Sequence, residues 1–163
     1  MTKGKRMFLS AIVTMLALAG CSTMTQAERE AKIAERAEYV MKALDDRHYK
    51  IDIDMMHTRR IGSKPVSSDW SLEVKGDTLV SYLPYFGVVY EATYASSTGL
   101  NFTAPIKGYE DTGFNNGRRT IRLQANSDED VIDYRLEVMD NGRVAIDVTP
   151  HKREGISYSG NLD

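Results

Sequence analysis

The segment VIDYRLEVMDNGRVAIDVTP, residues 131–150, decides the fold, because only one loop length lets its two halves pair with their apolar side chains together. Side chains alternate across a strand, so a slip of one residue moves a whole apolar set to the opposite face. A two-residue turn at Asn141-Gly142 sets Leu136 opposite Asp147 and Val138 opposite Ala145, which mixes the faces. A three-residue loop of Asp140, Asn141 and Gly142 instead pairs Val138 with Val144, Leu136 with Ile146 and Tyr134 with Val148. Gly142 then stands at the left-handed bulge position that such loops require.

The same period of two runs through most of the chain. In HYKIDIDM, residues 48–55, Tyr49, Ile51, Ile53 and Met55 share one face and His48, Lys50, Asp52 and Asp54 the other. WSLEVKGDTLVSYL, residues 70–83, reads as a hairpin turning at Gly76-Asp77, with Val74 opposite Leu79 and with Trp70, Leu72 and Leu83 on one side. RRTIRLQAN, residues 118–126, buries Ile121, Leu123 and Ala125 and exposes Arg118, Thr120 and Arg122. GISYSGNL, residues 155–162, supplies a last strand.

From residue 48 this makes eight or nine short strands joined by turns, with no helix between them. The expected fold is therefore mainly β: a meandering antiparallel, lipocalin-like barrel whose closure removes exposed edges. Residues 26–45, QAEREAKIAERAEYVMKALD, precede it as one amphipathic helix, with Ile33, Ala37, Val40, Met41 and Leu44 at helical spacing. Its last three turns are expected to pack on the barrel. An open sheet capped by the helix has nearly the same pattern.

SYLPYFGVVYEATY, residues 81–94, is the aromatic-rich part of the chain. Pro84 lacks an N–H and should end a strand. Beyond it Phe86, Val88, Tyr90, Ala92 and Tyr94 alternate to one side. That face either fills the core or lines a cavity, with Phe86, Tyr90 and Tyr94 as its ligand-facing rings.

SYLPYFGVVYEA, the following GLNF at residues 99–102 and the terminal ISYSG resemble a lipoprotein-like group, domain of unknown function family 4251, common in gut-dwelling Gram-negative anaerobes. The resemblance runs from about Tyr49 to Leu162, and Leu-Pro-Tyr-Phe-Gly is its most specific part. It implies a lipocalin-type barrel and brings no activity or catalytic residue.

The N-terminus addresses the chain to the cell envelope. Lys3, Lys5 and Arg6 precede an uncharged apolar run from Met7 to Ala19, which reads as a secretion signal too short to span a bilayer. The run ends in LAGC, which resembles the lipobox of bacterial lipoproteins. There Cys21, the single cysteine, takes palmitate-type acyl chains and becomes the mature N-terminus. Residues 1–20 are thus expected as signal peptide, 21–27 as lipidated tether and 28–163 as one helix-plus-barrel domain. Ser22 stands where lipoproteins retained in the inner membrane carry Asp, and no acidic run precedes Glu28. The expected location is the outer membrane, facing the periplasm.

Cleavage before Cys21 removes 20 of the 163 residues and leaves 143, enough for one domain with a real core. It takes those three residues from the 21 basic side chains and none from the 23 acidic, for a net charge of about −5. An acidic surface argues against nucleic acid as a partner.

Chemical motifs are sparse. His48, His57 and His151 have no second His or Cys at ligand spacing, so no metal or cofactor is expected. No Gly-x-Ser-x-Gly elbow, phosphate loop or nucleotide fingerprint occurs. Asp52 and Asp54 on one strand face are the remaining acid–base or chelating candidates, and Arg118 and Arg122 a candidate patch for an anionic glycan or protein partner. The favoured reading is a non-enzymatic lipoprotein that binds a small apolar or amphipathic molecule, or a segment of another envelope protein. The alternatives are an assembly protein with a packed barrel and, third, an enzyme acting on envelope glycans.

Overall fold

The computed structural model describes residues 24–67, 69–90, 99–128 and 130–163. Two compact units divide after Lys32. The first carries the opening turns of helix α1, Gln26–Asp45. They start from a reciprocal cap in which Glu28 N–H donates to Thr25 Oγ1 at 3.3 Å and Thr25 N–H donates to Glu28 Oε2 at 2.8 Å.

The second unit holds the rest of α1 and nine strands among the described residues: β1 (His48–Thr58), β2 (Gly62–Pro65), β3 (Ser71–Lys75), β4 (Thr78–Pro84), β5 (Gly99–Asn115), β6 (Arg118–Asn126), β7 (Val131–Met139), β8 (Arg143–Pro150) and β9 (Ile156–Leu162). Each pairs antiparallel with its successor from β3 onward, β1 pairs with β3, and β1 also pairs with β9. That last pairing closes an eight-stranded barrel, and β2 is an extra strand on the far half of β1. Closure leaves the meander without an open edge at the seam.

The 131–150 hairpin takes the expected register, with Val138 opposite Val144, Leu136 opposite Ile146 and Tyr134 opposite Val148. Gly142 has a φ of 86°. The β3–β4 hairpin turns at Gly76-Asp77 and pairs Val74 with Leu79 as its spacing predicts. Leu72 and Leu83 are fully buried, while Trp70 is half-buried and stacks on Tyr82 at 4.5 Å between ring centroids.

Two departures from strict periodicity have local causes. Tyr49, Ile51 and Ile53 face inward, but a bulge between Ile53 and Met55 shifts the phase, so Met56 and not Met55 is buried. On α1 Val40 and Leu44 are buried, whereas Ile33 and Met41 are exposed. The packed stripe is therefore narrower than the apolar spacing predicts, with Ala37 and Ala43 half-buried beside Val40 and Leu44. Beside that stripe the Arg36 guanidinium donates to the Leu162 carbonyl, and Tyr39 Oη donates to the Asp163 carbonyl at 2.8 Å.

The interior is filled. Tyr134, Tyr158, Leu72, Leu79, Leu83, Ile121, Leu136 and Ile146 are each at most 1% exposed. The buried hydroxyls have partners: Tyr134 Oη donates to Ser81 Oγ, Ser81 donates to the Leu100 carbonyl at 2.7 Å, and Tyr158 donates to the Pro84 carbonyl at 2.6 Å. Burial pushes the pKa values of Tyr134 and Tyr158 far above the ordinary phenol value, so both stay neutral donors.

Candidate functional site

The aromatic segment after β4 does not continue as a strand. Pro84 ends β4 as expected, and among the described residues from there to Tyr90 only Val89 makes a bridge, to Arg153. Phe86 is 61% and Tyr90 65% exposed, so these two rings expected inside face solvent, and the other set supplies the buried ring, Tyr85. Tyr94 lies outside the described residues. The reason is local. Without a ladder, the chain turns so that Tyr85 Oη reaches the carbonyls of Val88 at 3.0 Å and Glu154 at 2.8 Å. Gly87 leaves room for that ring, since a Cβ there would sit 2.6 Å from Tyr85 Cζ. Burial, followed by the charge of Glu154, raises the Tyr85 pKa to about 12. Tyr85→Phe is expected to cost about 1–2 kcal/mol in chemical denaturation by leaving the Glu154 carbonyl without the hydroxyl, while the Val88 carbonyl keeps the Glu154 N–H at 2.8 Å; an unchanged midpoint would show that water replaces the hydroxyl.

The outer face of the barrel carries a depression of about 900 Å³. Its floor is built by register. Glu110 of β5 stands opposite Arg122 of β6, Arg122 opposite Arg135 of β7, Arg135 opposite Asp147 of β8, Asp147 opposite Ser157 of β9, and Ser157 opposite His57 of β1. These six line the depression as one polar rung across six strands. Their neighbours along the strands, among them Leu123, Tyr134, Val148 and Ile156, point into the core. In the next rung Gln124, Asp133 and Thr149 lie beside Gly108, where a Cβ would meet nothing within 4 Å.

Hydrogen bonds order part of this surface. Ser157 Oγ donates to Asp147 Oδ1 at 2.8 Å, and Gln124 Nε2 donates to Asp133 Oδ1 at 2.7 Å. His151 Nε2 lies 3.0 Å from Asp133 Oδ2. The Gln124 and His151 contacts hold the Asp133 carboxyl below its ordinary value. His57 sits between two hydroxyls, with Nδ1 2.7 Å from Ser63 Oγ and Nε2 3.1 Å from Ser159 Oγ.

The other candidates separate. Asp52 pairs with Lys50 at 2.7 Å, while Asp54, at the bulge, pairs with Arg143 at 2.7 Å, so the two carboxylates serve different cations. His48 Nδ1 contacts the Asp46 carbonyl at 2.9 Å. Among the described residues no three His, Cys, Asp or Glu side chains group as a metal site. Arg118 and Arg122 are both exposed on the outer face, with ion pairs to Glu137 at 3.5 Å and Glu110 at 3.9 Å. Only Arg122 lines the depression. Cys21 lies outside the described residues.

Arg119, between those two, escaped the sequence reading. It is 7% exposed and reaches Asp111 through Nε at 2.8 Å and Asp45 at the end of α1 through Nη1 at 2.7 Å. The signal was present in the alternation: Arg119 shares the inward phase of Ile121, Leu123 and Ala125.

A family model for a domain of unknown function, DUF4251, matches residues 31–162. The chain belongs to the DUF4251 family. The DUF4251 barrel is also similar to the crystal structure of a DUF4251 family protein from Bacteroides eggerthii, with a TM-score of 0.63 and 12% identity, over 81% of this chain and 89% of that one. At that identity the likeness speaks for the fold. None of the curated proteins matches the chain.

Proposed function

We propose that this DUF4251 protein is a lipid-anchored, non-enzymatic interaction protein of the cell envelope, facing the periplasm, that binds through the outer surface of a filled barrel. The observation that carries this reading is the contrast between an interior closed by buried side chains and a depression of about 900 Å³ on the outside, lined by charged and amide groups. It favours a polar ligand, or a polar segment of another envelope protein, over an apolar molecule held within. The lipid anchor and the location rest on the Lys/Arg start, the apolar run and Cys21. The non-enzymatic reading is argued from two histidines: His57 has two hydroxyl neighbours but, among the described residues, no carboxylate to orient it as a base, and His151, 3.0 Å from Asp133, has no hydroxyl hydrogen-bonded to its ring among them.

The test has two parts. In its own host the full-length chain should incorporate labelled palmitate and fractionate with the outer membrane, and Cys21→Ala should lose both. Native mass spectrometry of the detergent-solubilised chain should then show no stoichiometric apolar molecule retained. A retained fatty acid or similar ligand would refute the outer-surface reading, and an unlabelled chain would refute the anchor.

A further inference from the structure

We infer that the outer depression is a site for an acidic saccharide, whose carboxylate sits between Arg122 and Arg135 and whose hydroxyls meet Asp147, Ser157 and the Gln124–Asp133 pair. This inference rests on the reading that binding uses the outside of the barrel. Four observations bring it together.

First, Arg122 and Arg135 are directly opposite in register, and like charges so placed destabilise a sheet unless something answers them. Second, the answer within the protein is incomplete. Among the described residues the Arg122 guanidinium makes no hydrogen bond, and its ion pair to Glu110 is 3.9 Å long. Arg135 contacts Glu137, but that carboxylate is shared with Arg118. Two planar guanidinium groups with spare N–H donors match the geometry of a carboxylate.

Third, carboxylates bracket the arginine pair, with Glu110 ahead of Arg122 in the rung. Asp147 follows Arg135 in the rung, and Asp133 stands one rung away beside Gln124. A bare polyanion would meet those carboxylates, whereas sugar hydroxyls can donate to them. Ser157, Gln124 and Thr149 add further polar groups along the same floor. Fourth, the space is adequate: about 900 Å³ falls within the roughly 300–1,000 Å³ of small-molecule sites. Gly108 keeps one end of the floor free of a side chain.

The decisive measurement is calorimetric titration of the full-length chain in detergent with three probes: trigalacturonate, its fully methyl-esterified form and inorganic sulfate. Trigalacturonate should bind saturably, and the ester and sulfate should each bind about tenfold or more weakly, because a charge-assisted pair is lost in one and the hydroxyl contacts in the other. Arg122→Gln should weaken trigalacturonate by about tenfold or more while leaving the thermal midpoint within a few degrees. Arg118→Gln, on the same strand but outside the depression, should bind as the parent does. Equal binding of acid and ester, sulfate binding as tight as the saccharide, an unaffected Arg122→Gln, or no saturation by about 10 mM would each overturn the inference. If trigalacturonate fails while no apolar molecule is retained inside the barrel, the saccharide assignment falls and the outer-surface reading stands.

Discussion

Gly160→Ala is expected to lower stability by about 3 kcal/mol and the thermal midpoint by roughly 6–12 °C, and Gly160→Val to prevent barrel closure altogether. Gly160 lies in the inward phase of β9, opposite Ile53 of β1 and Val144 of β8. A Cβ there would run into the Asp52 carbonyl, with the carbonyl carbon 2.9 Å and Ile53 Cα 3.1 Å away. Those are main-chain atoms of the closing strand, which cannot rotate aside as a side-chain tip does. The seam must open or β1 must move, and either breaks the β1–β9 ladder. Gly108→Ala is the matched control, because open space surrounds that position; its stability should stay within about 0.5 kcal/mol of the parent. An alanine at 160 that behaves like the one at 108 would show that the seam is looser than its geometry requires.

Arg119→Ala is expected to cost about 3 kcal/mol, because it strips the cation from a part-buried carboxylate. The Arg119 side chain is 8% exposed, that of Asp111 21% and that of Asp45 61%. Asp45→Ala should therefore cost under about 1 kcal/mol, since its carboxylate is mostly hydrated already. Removing both buried partners, as in Arg119→Met with Asp111→Leu, should recover much of the loss, since no charge is left stranded. The network also predicts a pH dependence. Burial pushes the Asp111 carboxyl up, but hydrogen bonds from Arg119 and the Gly113 N–H, with the charges of Arg119 and Arg47, outweigh it and hold the group below its ordinary value of 3.8. A carboxyl lowered in the folded state stabilises fully above the unfolded value and loses that contribution as the pH falls from about 4 through the lowered one. Denaturation midpoints of the parent should fall over that window, and those of the Arg119→Met/Asp111→Leu double variant should fall less. A parallel pH profile in the two would remove Asp111 as the source.

Legibility varied with how local each determinant was. The 131–150 hairpin could be read to the residue, because one loop length satisfies both the alternation and the left-handed Gly142. The helix limits were equally legible, since the charged Ala-rich run stops where Arg47 takes a φ of 50°. At Met55 the reading slipped by one position, because nothing in HYKIDIDM marks the bulge that β1 needs where it bends along β9. At Phe86 the alternation itself was misleading: the pattern fits a strand, but among the described residues the segment makes only a short bridge to residues 152–154, so a buried Tyr85 and solvent-facing Phe86 and Tyr90 satisfy the chain better. The polar rung was half legible. Arg122 was singled out, yet Arg135, Asp147, Ser157 and His57 come from four other strands, and their alignment follows from pairings far apart in sequence.

The sequence by itself determined the class of fold, the succession of strands, the register of its local hairpins and the helix. All of these depend on spacing within a few tens of residues, where side-chain alternation and turn geometry leave few choices. Tertiary structure alone decided that β1 returns to β9 and closes the barrel, that side chains fill the interior, and that the depression lies outside it. Closure joins residues about a hundred positions apart through hydrogen bonds between main chains, whose groups are the same whatever the sequence. What selects the partner is fit, such as the missing side chain at Gly160 against the Asp52 carbonyl, and fit exists only once the strands are side by side.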